Sequence, residues 1–107
     1  PANVSNANGV GSVTTYSFLP NNLIVITGFT QNSTDGATIN LSIALTGIFN
    51  IQLNALGNSS SGTNRALVAQ PRTINAGAGT MVINLQDVNN NDQLIARSVY
   101  FYVLGQT

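Results

Sequence analysis

Three stretches of this chain alternate apolar and polar residues with a period of two, and that rhythm restricts the fold more than any other feature. Residues 38–46 (TINLSIALT) set Ile39, Leu41, Ile43 and Leu45 against Asn40, Ser42, Ala44 and Thr46. Residues 49–55 (FNIQLNA) set Phe49, Ile51 and Leu53 against Asn50, Gln52 and Asn54. Residues 80–86 (TMVINLQ) put Met81, Ile83 and Leu85 on one face. Successive side chains of a strand point to opposite faces, so each stretch predicts a strand with one face in the core and one in water. The nine apolar residues from Ile39, Leu41 and Ile43 through Phe49, Ile51 and Leu53 to Met81, Ile83 and Leu85 are the expected core.

The remaining segments extend the same pattern less regularly. Residues 12–18 (SVTTYSF) read as a strand ended by Pro20 and Asn21-Asn22. Residues 23–29 (LIVITGF) form a continuous apolar run, expected to be buried on both faces, with Gly28 marking a bulge or bend. Residues 65–70 read as a short strand stopped by Pro71, and 93–104 as the final strand. Turn-rich loops are expected at 32–36, 57–64, 75–79 and 87–92, with Asn8-Gly9 as an opening turn and Thr46-Gly47 as a tight hairpin. A helical alternative exists for 65–70 and for 94–97, but no ten-residue segment carries helix caps. The expected architecture is all-β: a compact antiparallel barrel or sandwich of about seven strands, Greek-key or jelly-roll-like, in one domain spanning 1–107.

Composition then narrows the function classes. Only 6% of the chain is charged, against roughly 25% for a typical soluble domain. The charged set is Arg65, Arg72, Arg97, Asp35, Asp87 and Asp92, with no Lys, Glu, His or Cys. Zinc sites, disulfides, Ser/His/Asp or Cys/His catalysis and lysine Schiff bases are thereby excluded, and three Asp are few for a glycosidase pair. A formal net charge of zero without a basic cluster argues against nucleic acid and against an anionic membrane as partners. No apolar stretch approaches the roughly 20 residues of a membrane helix. The chain begins at Pro1 rather than Met, as a mature or excised domain would. Little self-repulsion separates copies of so neutral a chain, which suits a domain held on a larger assembly.

Polarity comes instead from amides and hydroxyls: 42 of 107 residues are Asn, Gln, Ser or Thr. Asp87, Asn89 and Asn91 are spaced like the opening of a calcium loop. Asp92 and Ser98 stand where that loop needs Gly and Glu, so a solvated hairpin loop is the better reading and no metal or other cofactor is expected. Four Asn-X-Ser/Thr sequons (at Asn3, Asn32, Asn40 and Asn58) are about what this composition yields by chance. Arg97 interrupts the most apolar strand and reads either as an ion-pair partner or as a polar anchor in a cleft; Arg72, after Pro71, reads as a surface loop residue. On the last strand Val99, Phe101 and Val103 fall on one face and Tyr100, Tyr102 and Leu104 on the other. Either neighbouring elements cover both faces or one of them meets another copy of the chain.

Neutral donors and acceptors beside aromatic faces are the groups that bind sugars, with an occasional Asp or Arg making stronger hydrogen bonds, and without Trp the stacking faces must come from Tyr16, Tyr100 and Tyr102. In its size, its low-charge Asn/Ser/Thr-rich alternating strands and its aromatic ending SVYFYVL at 98–104, the chain resembles the C-terminal head domains of receptor-binding proteins from the tails of phages that infect lactococci. The resemblance implies a compact β-barrel, a homotrimer, a place at the tail tip of a virion, and attachment to a cell-surface saccharide of the bacterial host. In that family the saccharide cleft is lined by Trp, His, Asp and Arg, and this chain has neither Trp nor His, so the family site is not carried over. The expected saccharide-binding residues are chosen from the chain itself: Asp87 as acceptor for paired hydroxyls, Arg72 or Arg97 as a fork toward oxygens, and Asn89 and Tyr100 completing the cleft. The competing class is a structural virion or fibre-tip domain that binds no saccharide.

Overall fold

The computed structural model describes residues 3–5, 8, 12–55, 67–87 and 97–107, with side chains except those of 3–5, 32, 67, 87 and 97. Among the described residues, period-two alternation is converted into eight antiparallel strands in two sheets. They are β1 (Asn3–Ser5), β2 (Val13–Phe18), β3 (Leu23–Ser33), β4 (Thr38–Asn40), β5 (Gly47–Ala55), β6 (Leu67–Asn75), β7 (Thr80–Asp87) and β8 (Arg97–Gln106). One sheet has the order β1-β2-β3-β8-β5 and the other β4-β7-β6. From β3 to β6 the chain changes sheet at every step, then inserts β7 between β4 and β6 and β8 between β3 and β5. This interleaving is jelly-roll-like. The sheets do not close, so the sandwich form of the expectation holds and the barrel form does not. The described residues include one 3₁₀ turn, Pro20–Asn22, and no helix long and apolar enough to cross a membrane.

The inward faces meet in one core. Ile24 and Ile26 of β3 and Val99, Phe101 and Val103 of β8 pack against Ile39, Met81, Ile83 and Leu85 of the smaller sheet, with Leu41 and Leu45 between. The polar groups buried with them are satisfied. The Asn8 side chain donates to Thr14 Oγ1 at 3.2 Å, Ser12 Oγ accepts the Gln31 N–H at 3.0 Å, and the Thr30 and Ser33 hydroxyls bond each other.

Four expectations are corrected. The alternation of 38–46 does not continue as one strand, because the Asn40 side chain accepts the Ser42 N–H at 2.8 Å and Ser42 turns to φ 68°. That side-chain-to-backbone bond ends β4 after three residues. Leu41 and Leu45 stay buried because the turn is bonded to the β6–β7 hairpin, Leu41 N to Gly79 O at 2.7 Å and Leu45 N to Ala76 O at 2.8 Å. Thr46-Gly47 is consequently a crossover between sheets rather than a hairpin. Phe49 is not core but 59% exposed: the register slips between Ile48 and Asn50, leaving Phe49 as the extra residue while Ile51 and Leu53 still point inward. Pro71 does not end β6, which is an edge strand and needs no ladder bond there.

Candidate functional site

The outward face of the larger sheet carries the candidate site, and strand register assembles it. Phe29 of β3 lies opposite Tyr100 of β8, which lies opposite Asn54 of β5; one rung along, Thr27, Tyr102 and Gln52 align in the same way. These six side chains share one face because each is two residues from its neighbour on the same strand. They line an open groove of about 330 Å³. Tyr100 is 48% exposed, Gln52 and Asn54 are exposed, and Thr27, Phe29 and Tyr102 are half-buried.

The inward face explains why the outward one is so shaped. Gly28 sits between Thr27 and Phe29, opposite Phe101. A Cβ there would come within 2.1 Å of the Val13 carbonyl oxygen and 2.8 Å of Phe101 Cζ. The missing side chain lets the Phe101 ring lie against the β3 backbone, which holds the strand carrying Thr27 and Phe29 from behind. In front, the Phe29 and Tyr100 rings are 5.6 Å apart between centroids and tilted by 44°. Beyond Thr27, the Thr15 and Thr27 hydroxyls bond each other at 2.9 Å and extend the polar row onto β2.

Among the described residues, the groove's outward side chains are two phenols, a phenyl ring, two carboxamides and one hydroxyl, none of them ionised. Such a surface can stack on a saturated ring through C–H contacts and exchange neutral hydrogen bonds with hydroxyls.

Of the residues expected from the sequence, Tyr100 is in this groove. Arg72 is not: it lies in β6, at a register shift between Pro71 and Thr73 on the smaller sheet. There its guanidinium donates to Asp35 Oδ1 at 3.1 Å and to Asn84 Oδ1. The same Asp35 oxygen accepts the Leu85 N–H at 2.9 Å. Arg72 thus fastens the β3–β4 turn to β6 and β7, and the bulge aims it there instead of leaving it in a loop. Asn84 alternates with buried Ile83 and Leu85, so the Arg72 cluster lies on the outer side of the sandwich opposite to Tyr100.

Asp87 ends β7 and Arg97 opens β8, opposite Ser33. Antiparallel register puts both backbone positions at the end of the sandwich away from the β6–β7 turn. Their side chains, and Asn89 with the rest of the 88–96 segment, lie outside the described residues. Among the described residues no group of three or more Asp side chains that could hold a metal occurs. Tyr102, expected with Tyr100 as a stacking ring, is in the groove and Tyr16 is not; Phe29, Thr27, Gln52 and Asn54 join the site without having been singled out as saccharide-binding residues. The sequence signal for Gln52 and Asn54 is the polar side of the 49–55 alternation, and for Tyr102 the outward parity it shares with Tyr100.

No protein-family model, curated protein or solved structure matches the chain.

Proposed function

We propose that this chain is a saccharide-binding adhesion domain that performs no chemistry, of the kind found in the heads of phage tail receptor-binding proteins, and that its ligand is a cell-wall saccharide of the bacterial host. The observation that carries the reading is the groove of Tyr100, Tyr102 and Phe29 flanked by Gln52, Asn54 and Thr27. An exposed aromatic face beside neutral amides suits a polyol better than it suits water alone, since the ring gains apolar contact while the hydroxyls keep their hydrogen bonds. The jelly-roll-like interleaving and the neutral surface accord with the sequence resemblance. In this reading the site moves from the Asp87 and Arg72 set to the outward face of β3, β8 and β5, with Tyr100 common to both.

The proposal includes a homotrimer at a virion tail tip. The Val99, Phe101 and Val103 face of β8 is buried within the chain itself and is not free for another copy. Phe18 at 55%, Leu19 at 42%, Phe49 at 59% and Ile74 at 43% exposure remain as apolar surface toward the opposite end of the strands from Arg97. That apolar surface is also what a structural fibre-tip domain without a ligand would bury, and it favours such a domain as the second reading.

The two readings separate in a sedimentation assay with purified lactococcal cell walls. Adhesion predicts saturable binding that Tyr100→Ala reduces at least about tenfold, the loss of roughly 1.4 kcal/mol. Absence of binding by the wild-type chain would leave the structural domain as the account.

A further inference from the structure

Resting on the saccharide-binding reading, a break in the β3 ladder beside the groove identifies one more contact for the ligand. We infer that the β3 bulge presents Gln31 as a further saccharide-binding residue, one side-chain repeat beyond the Phe29–Tyr100 pair, and that the buried hydroxyls of Ser12, Thr30 and Ser33 are the positioning residues that hold it there.

Strand register places Gln31 beside the site. β3 and β8 pair regularly as far as Thr30 and Val99, and pairing resumes at Ser33 and Arg97. Two residues of β3, 31 and 32, therefore stand against Ser98 alone, the two-against-one arrangement of a β-bulge. Thr30 is buried on the inward side and Gln31 is exposed, so Gln31 continues the outward row of Thr27 and Phe29. A side chain two residues further along a strand stands roughly 7 Å away. A sugar ring seated on Phe29 and Tyr100 would thus meet an amide at each of two edges, Asn54 across the sheet on β5 and Gln31 along β3. A glutamine carboxamide both donates and accepts, which suits a hydroxyl of either polarity.

The backing of Gln31 differs from the rest of the inward face. Elsewhere along the β3–β8 ladder that face carries Ile24, Ile26, Phe101 and Val103. At the bulge, Ser12, Thr30 and Ser33 are buried instead, at 3%, 4% and 6% exposure. The Ser12 hydroxyl accepts the Gln31 N–H at 3.0 Å, and the Thr30 and Ser33 hydroxyls, one on each side of the bulge, bond each other. Burying hydroxyls is less favourable than burying aliphatic side chains, and their bonds add only a modest net stability. What they supply is direction: Ser12 gives the Gln31 N–H an acceptor outside the β3–β8 ladder, and the Thr30–Ser33 bond draws the two ends of the bulge together. Gln31 is carried on a pinned backbone next to an aromatic wall, and a contact held in place beforehand loses less freedom when a ligand arrives.

The test measures binding of the whole chain to purified lactococcal cell walls for wild type, Gln31→Ala, Thr30→Val, Thr30→Ser and the Thr30→Val, Gln31→Ala double variant, with urea unfolding of each alongside. Gln31→Ala should weaken binding roughly three- to tenfold, the worth of about one neutral hydrogen bond, without moving the unfolding midpoint, because the side chain is exposed. Thr30→Val keeps the shape but leaves Ser33 without its partner, and should lower both stability and binding. Thr30→Ser keeps the hydroxyl and should bind as wild type does. In the Gln31→Ala background, Thr30→Val should lower stability again but bring no further loss of binding, since its effect on the ligand passes through Gln31. Full binding by Gln31→Ala, with Tyr100→Ala still impaired, would overturn the inference and leave saccharide binding in place. An equal binding loss from Thr30→Val with and without Gln31 would overturn the positioning role. Absence of binding by wild type would overturn the inference together with the reading it rests on.

Discussion

Phe29 and Tyr100 face each other across the β3–β8 ladder on the outside of the sandwich, with ring centroids 5.6 Å apart and planes tilted by 44°. Their backbone neighbours Gly28 and Phe101 form the matching pair on the inside, where the ring of Phe101 occupies the space a Gly28 side chain would need. One stretch of ladder therefore anchors the core and displays the aromatic wall of the groove.

Separating those two roles gives the first prediction. Tyr100→Ala removes a half-exposed ring and should cost no more than about 1.5 kcal/mol of stability, the scale of one aromatic pair, while abolishing most wall binding. Urea unfolding of wild type and variant, beside the sedimentation assay, checks both halves. A binding loss accompanied by a stability loss above about 3 kcal/mol would indicate unfolding rather than a lost contact.

Gly28→Ala should act in the opposite order. The added Cβ meets a backbone oxygen at 2.1 Å, which a rotamer change cannot relieve. Overpacking of this kind costs about 1–3 kcal/mol or more, and displacement of β3 should weaken ligand binding in proportion. A variant as stable as wild type in urea would mean that β3 and β8 are not held in this register.

The core makes a paired prediction. Ile83→Ala should cost about 2–5 kcal/mol, since Ile83 is fully buried between the sheets. Phe49→Ala, at a bulge and 59% exposed, should cost well under 1 kcal/mol. Unfolding midpoints of the two variants test it, and equal losses would show that Phe49 points inward as the alternation alone suggests.

Much of this fold was legible in the sequence and the exceptions have local causes. Met81, Ile83 and Leu85 were placed correctly because nothing interrupts the alternation of β7. Phe49 was misplaced because one inserted residue reverses the parity of a strand, and no composition signal announces a bulge. The 38–46 segment was misread because a single Asn40-to-Ser42 bond outweighs a favourable pattern. Outward parity was legible for Tyr100 and Tyr102 on the last strand and for Gln52 and Asn54 on 49–55, but not that the two sets meet, since joining β5 to β8 is a pairing about 50 residues apart in sequence, of a kind local patterns do not encode. Arg72 drew attention by being one of three arginines, and the structure gives it a tethering role between Asp35 and Asn84, away from the groove.

That role gives a further prediction. Arg72→Ala should leave wall binding unchanged and cost about 1 kcal/mol or less, because the guanidinium is 42% exposed and its pairing is screened by solvent. Asp35→Ala should cost more, about 1–3 kcal/mol, because the Leu85 N–H also loses its acceptor. The comparison is made by thermal unfolding at low and high salt. If Arg72→Ala impaired wall binding at unchanged stability, the ligand site would include the smaller sheet.

The account's central claim is that a saccharide occupies the outward face of β3, β8 and β5, and the chain's three tyrosines allow that to be read directly. Tyr100 and Tyr102 line the groove, while Tyr16 packs against the core with its ring edge-to-face with Phe18. Tyrosine ring resonances followed by NMR during titration with solubilised lactococcal cell-wall polysaccharide should shift for Tyr100 and Tyr102 and stay fixed for Tyr16. Shifts at Tyr16 alone, or no shift at any of the three at saturating polysaccharide, would contradict it.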